Sequence, residues 1–186
     1  MSQPSDTSEE LLSRALAGEA PAFGELVRAQ QRSVYSLALR MLGNRQKAED
    51  LAQEVFLQLH RNLAAIESAA HLGFWLRRVT ANRAIDRLRR EPRAQMLPLE
   101  AADGVADEAE GADPLLMRQL RVLVGELPPT PRAVVLLRYQ EDLDPTDIAR
   151  ALSMSIHTVK SHLKRSLAAL RKGIDAAAQD EVGSST

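Results

Sequence analysis

Asp144-Pro145-Thr146-Asp147-Ile148-Ala149-Arg150-Ala151-Leu152-Ser153-Met154-Ser155-Ile156-His157-Thr158-Val159-Lys160-Ser161-His162-Leu163-Lys164-Arg165 is the stretch that decides the fold. It spells two short helices across a tight turn. Asp144 is placed to cap the first helix, Pro145 fits the first helical position, where an amide hydrogen is not needed, and Asp147 stands three residues after the cap. Ile148, Ala149 and Leu152 form its apolar stripe. Ser153-Met154-Ser155 makes the turn, and Ser155 can cap the second helix. In that helix Val159, Leu163, Leu167 and Leu170 recur at helical spacing and are expected to be buried. His157, Lys160, Ser161, Lys164 and Arg165 then face outward. No acidic residue falls between Ser155 and Arg171, so this face suits a phosphate-lined groove, as in a helix-turn-helix.

The rest of the chain reads as helix too. Its 186 residues contain 3% aromatics, no cysteine and no long β-branched runs, while Ala, Leu and Arg abound. The fold class expected is all-α, as two small helical domains. The lack of cysteine removes disulfides, zinc-thiolate sites and thiol catalysis. No apolar run approaches the roughly 20 residues of a membrane span, so no membrane insertion and a cytoplasmic location are expected. The net charge of −1 conceals segregation along the chain. Arg77, Arg78, Arg83, Arg87, Arg89, Arg90 and Arg93 form a basic block, opposed by Asp86 and Glu91. Glu100, Asp103, Asp107, Glu108, Glu110 and Asp113 follow without a Lys or Arg, and Lys160, Lys164, Arg165, Arg171 and Lys172 form a second basic block. Two cationic surfaces with an anionic connector between them fit DNA contacted at two places.

Punctuation divides the chain. Residues 1–7 are expected to be a disordered N-terminus. Residues 8–90 carry four helices: one after Ser8, one from Pro21 to the Gly43-Asn44 stop, one from about Gln46 to Asn62, and one from about Leu72 to Arg90. The apolar stripe of the last shifts from Leu72, Trp75, Leu76 and Val79 to Ala81, Ala84, Ile85 and Leu88, so it meets different neighbours along its length. Residues 91–113, broken by Pro92, Pro98, Gly104 and Gly111, are expected to be a flexible acidic linker. Residues 114–174 hold two further helices before the helix-turn-helix, and 175–186 are expected to be a disordered tail.

Four motifs in order resemble the extracytoplasmic-function (ECF) group of the bacterial sigma-70 family of RNA polymerase sigma factors. Gln46-Lys47-Ala48-Glu49-Asp50-Leu51-Ala52-Gln53-Glu54-Val55-Phe56 is similar to D-A-E-D-L-x-Q-E-x-F. Phe74-Trp75-Leu76-Arg77-Arg78-Val79-Thr80-Ala81-Asn82-Arg83-Ala84-Ile85-Asp86-Arg87-Leu88-Arg89-Arg90 is similar to F-x-x-W-L-x-R-I-x-x-N-x-x-I-D-x-L-R-R. Leu127-Pro128-Pro129-Thr130-Pro131-Arg132-Ala133-Val134-Val135-Leu136-Leu137-Arg138-Tyr139 matches L-P-x-x-x-R-x-V-x-x-L-R-Y, and the helix-turn-helix supplies the fourth motif. The chain departs from the family at Asp144-Pro145, commonly Ser-Tyr, and at Ser153, often Gly.

The resemblance implies an alternative sigma factor made of sigma domains 2 and 4, which binds core RNA polymerase and directs initiation at promoter DNA. It implies that Asp50, Gln53 and Glu54 contact the clamp helices of the largest polymerase subunit. Arg77, Arg78, Asn82, Arg83 and Arg87 would then meet the −10 element and assist its melting, with the Ala64-to-Leu72 loop holding a flipped base. His157, Lys160, Ser161, Lys164 and Arg165 would meet the −35 element. An anti-sigma factor is implied as a further partner. Trp75 fits either a melting wedge or, more commonly for its spacing, the core. No catalytic residues, cofactor, metal or small-molecule substrate are indicated: His60, His71, His157 and His162 are scattered, and no glycine-rich phosphate loop occurs. The rival reading is a regulator that binds an operator as a dimer through the same helix-turn-helix. It leaves the arginine-rich fourth helix without a role.

Overall fold

The computed structural model describes residues 4–91 and 113–183, and its described residues form helices joined by short turns. The helices are α1 (Pro4–Leu16), α2 (Ala20–Leu42), α3 (Arg45–Asn62), α4 (Ala69–Arg90), α5 (Pro114–Glu126), α6 (Pro129–Tyr139), α7 (Pro145–Ala151) and α8 (Ile156–Gly183), with a 3₁₀ turn at Leu63–Ala65.

Local chemistry sets the boundaries. Gly43 ends α2 in the left-handed region (φ 64°), and its amide donates to the Leu39 carbonyl. Asn44 then accepts from the Lys47 amide to open α3, and Ser68 accepts from the His71 amide to open α4. Asp144 accepts from the amides of Thr146 and Asp147, and Ser155 Oγ accepts from the Thr158 amide at 3.0 Å. Ser153 takes φ 52°, the conformation its place in the turn requires.

α2, α3 and α4 pack as a bundle closed by α1, around Leu26, Met41, Leu51, Val55, Leu59 and Leu72, all fully buried. α4 changes neighbours along its length, as its shifting stripe implies: it meets α1, α2 and α3, and also α6 and α7 from the C-terminal half. The second half packs α6, α7 and α8 around Val134, Leu137, Ile148 and Val159. One continuous apolar cluster includes buried side chains of both halves. Trp75 packs against it half-buried.

Several boundaries differ from those read in the sequence. α1 starts at Pro4, inside the segment expected to be disordered, because proline is tolerated in a first helical turn and the following acidic residues favour the positive helix end. α8 continues to Gly183, through much of the expected tail, since Asp175-Ala176-Ala177-Ala178-Gln179 has high helix propensity without any apolar anchor. The expected flipped-base loop shrinks to residues 66–68, because Ala64 and Ala65 belong to the 3₁₀ turn and Ala69 to Leu72 to α4. Leu167 is 43% exposed: the buried stripe runs Val159, Ser166 and Leu170 with Leu163 half-buried beside it, and Leu167 lies about 100° round the helix from Ser166. The linker lies outside the described residues apart from its ends, Glu91, which pairs with Lys47 at 2.5 Å, and Asp113, which caps α5.

Candidate nucleic-acid interface

The first half of α8 presents His157, Lys160, Lys164 and Arg165 to solvent, with Ser161 half-buried beside them. Their spacing at i, i+3 and i+7 to i+8 puts them on one face. The opposite face is held by Val159 and by the buried hydroxyl of Ser166, and α7 packs across the helix. Arg165 Nε donates to the Ser161 carbonyl at 3.3 Å, laying the guanidinium along the helix. His162 sits half-buried beneath this face, and burial, with the Arg165 cation second, pushes its pKa below the ordinary histidine value. The face therefore carries a lysine- and arginine-rich edge suited to guanine O6 and N7 and to phosphates.

The expected −10 residues lie together on α4, but most are engaged. Arg77 Nε pairs with Glu141 Oε2 at 2.7 Å. Asn82 Nδ2 donates to the carbonyls of Arg78 and Ala151, each at 2.8 Å. Arg83 donates to Gln58 Oε1 at 2.8 Å and pairs with Glu54 at 3.2 Å; Arg87 pairs with Glu54 at 2.7 Å and donates to the Lys47 carbonyl. Arg78 stands exposed. A cleft of about 740 Å³ opens among these groups, lined by Glu54, Gln58, Arg78, Asn82, Arg90 and, from the helix-turn-helix, Ser153.

Of the expected polymerase contacts on α3, Asp50 and Gln53 are exposed beside Glu49, while Asp50 accepts from Gln46 at 3.2 Å. Glu54 is different: it is tied to two α4 arginines, so the structure joins one expected polymerase contact to two expected DNA contacts. Sequence reasoning also passed over Arg132, which is buried and donates to the Met41 carbonyl at 2.6 Å, to that of Leu127 at 3.0 Å and to that of Gly125. Its position in the third motif was visible; its partner 91 residues away was not. His60 packs edge-on against the Phe23 ring at 5.1 Å, a packing role.

Both halves match known regions: Sigma-70 region 2 over residues 26–94 and Sigma-70 region 4 over residues 117–170. Over 168 residues the chain is 31% identical to the ECF RNA polymerase sigma factor SigW of Bacillus subtilis, covering 83% of this chain and 90% of that protein. The chain is an ECF sigma factor of the sigma-70 family. In this sigma factor the N-terminal half is itself a sigma region, which removes the dimeric operator-binding regulator as a reading. Its fold is shared with CnrH, solved with the cytosolic domain of CnrY, at a TM-score of 0.66 and 22% identity over 91% of this chain and 98% of that one. It is shared too with the sigma factor RpoE of Bartonella quintana, solved with the anti-sigma factor NepR, at a TM-score of 0.63 and 20% identity over 82% of this chain and 96% of that one. Among the described residues, no helix is long and apolar enough to cross a membrane.

Proposed function

We propose that this sigma factor works as two modules, about residues 8–90 and 114–174 joined by 91–113, which bind core RNA polymerase together and read two promoter elements. It acts as an initiation factor in the cytoplasm and catalyses no reaction itself. Asp50 and Gln53, with Glu54 at the edge, offer an anionic and amide surface to arginines of the polymerase clamp helices. Arg77, Arg78, Asn82, Arg83 and Arg87 hold the −10 strand where it separates, the arginines on phosphates and Asn82 on a base edge. His157, Lys160, Ser161, Lys164 and Arg165 enter the major groove at the −35 element. An anti-sigma factor is proposed as its inhibitor, a reading supported by the shared fold with a sigma factor solved in such a complex.

The single observation that carries the DNA reading is the first half of α8: an exposed cationic edge, capped by Ser155 and seated on a buried stripe, in the region 4 match. Run-off transcription tests it. Added to core polymerase over genomic templates, the chain is expected to yield promoter-specific transcripts. A protein that footprints a palindrome alone and gives no transcript with core enzyme would overturn it.

A further inference from the structure

From Ser153 to Arg165 every exposed side chain is polar or cationic except one, that of Ile156, which is 42% exposed. Single exposed hydrophobics are ordinary on a protein surface, so position and chemistry must distinguish this one. Ile156 is the first residue of α8, and the N-terminal residues of a recognition helix are those that reach base edges. Its neighbours are put to other uses: Met154 packs against the core, Ser155 caps the helix, and Val159 is fully buried. Ile156, Lys160 and Lys164 follow at i, i+4 and i+8, one continuous row along the exposed edge. A β-branched side chain in an exposed helical turn gains nothing from helix propensity.

The first turn that carries Ile156 is held firmly. Ser155 Oγ accepts from the Thr158 amide at 3.0 Å and lies 2.8 Å from the Thr158 hydroxyl, and the Ser155 carbonyl accepts from the Val159 amide at 3.1 Å. Branching at Cβ leaves the Ile156 side chain few rotamers, so little freedom is lost when a partner meets it. The donors beside it, on Lys160, Lys164 and Arg165, select acceptors such as guanine O6 and N7. Asn and Gln, the side chains that pair with adenine through two bonds, do not occur between Ser153 and Arg165. An A·T pair facing this turn is therefore marked by its one apolar group in the major groove, the thymine C5 methyl.

We propose that Ile156 is a specificity-determining residue of the −35 face, packing against the C5 methyl of a thymine in the major groove. This role rests on the −35 assignment of Lys160, Ser161, Lys164 and Arg165. Four helical residues rise about 6 Å, so the thymine lies within about two base pairs of the base that Lys160 contacts. One methyl group taken out of water on binding corresponds to about a fourfold preference for thymine over uracil at that position.

The test is run-off transcription by core polymerase with the full chain, on a promoter the pair uses, each thymine on either strand of the −35 element being replaced in turn by deoxyuridine. Deoxyuridine pairs in the same way and lacks only the C5 methyl. One replacement is expected to lower initiation at limiting enzyme about fourfold. Ile156→Ala, a change at an exposed site with helicity checked by circular dichroism, should show the same loss on the thymine template and no further loss on the deoxyuridine one. If no thymine responds to loss of its methyl, or if Ile156→Ala loses as much on deoxyuridine as on thymine, Ile156 has no such role; a defect in Lys160→Ala on the same templates then keeps the −35 assignment in place. If neither Lys160→Ala nor a scrambled −35 element alters initiation, that assignment fails and the role of Ile156 falls with it.

Discussion

Replacing Arg132 with methionine keeps most of the side-chain volume and removes one buried cation that joins two helix ends. The Met41 carbonyl lies in the last turn of α2, and those of Gly125 and Leu127 lie at the end of α5, so all three are among the acceptors a helix leaves unpaired at its C-terminus. Arg132 serves all three at only 5% exposure and stands at the negative end of both helix dipoles. Burial pushes its pKa down, yet a guanidinium stays charged at neutral pH, so these are charge-assisted bonds. At roughly 1.5–3 kcal/mol each, three such bonds are worth about 5–9 kcal/mol gross. Several kcal/mol of guanidinium desolvation is recovered by the methionine, leaving a net loss of about 2–4 kcal/mol. Urea denaturation followed by circular dichroism should therefore show the midpoint falling by about 1–2 M, at the usual slope for a chain of this size. Arg132→Lys should restore less than half, because an ammonium lacks the fork that reaches three carbonyls. A loss under about 0.5 kcal/mol for Arg132→Met would refute the reasoning, since it would mean the three carbonyls find water as readily as they find the guanidinium.

Asp50→Lys is expected to abolish capture of core polymerase while leaving helicity unchanged; it is a cleaner probe than Glu54→Lys, which would place a third cation beside Arg83 and Arg87. Lys160→Ala or Arg165→Ala should cost about 1–3 kcal/mol in use of the −35 element if a bidentate base contact is lost, read by transcription from templates with and without that element. Ser153→Gly should stabilise the chain by about 0.5–1 kcal/mol in urea denaturation, because glycine occupies the φ 52° backbone without the Cβ penalty. The lowered pKa of His162 means that the unfolded chain takes up a proton first as pH falls, so stability should be full above about pH 6.5, decline below it and level off beneath the folded value. His162→Gln should flatten that part of a stability profile measured from pH 7.5 to 5, and an unchanged slope would remove the histidine as its cause.

What was legible in the sequence was local. Asp144, Ser155, Asn44 and Gly43 act through amides and carbonyls within four residues of themselves, so the residue types alone fix where helices begin and end. The outward face of the recognition helix was legible because its buried stripe is long and strongly apolar. Leu167 shows the limit of that method: a leucine at i+4 from Leu163 looks buried until the polar but buried Ser166 shifts the stripe by one residue. The extension of α8 was hidden for the opposite reason, since the alanines after Asp175 favour helix by propensity while their sequence offers no stripe of large apolar residues to read.

The charge on α4 was legible as a block and misleading as a count. Seven arginines between Arg77 and Arg93 suggest a surface ready for phosphates, yet Arg83 and Arg87 are turned toward Glu54 on α3, and Arg77 toward Glu141 of the other half. These partners lie 29, 33 and 64 residues away in sequence, beyond any helical spacing rule, and they were assigned by pattern to a different role or to none. Partly exposed pairs of this kind are weak, each worth about 1 kcal/mol or less. Weakness suits them to the proposed function, because a phosphate arriving at Arg83 or Arg87 competes with a carboxylate that holds it loosely and already orients it. The same carboxylate, Glu54, borders the proposed polymerase surface. Polymerase binding at α3 would compete for Glu54 and so loosen the arginines of α4, which would couple the two proposed surfaces through one side chain.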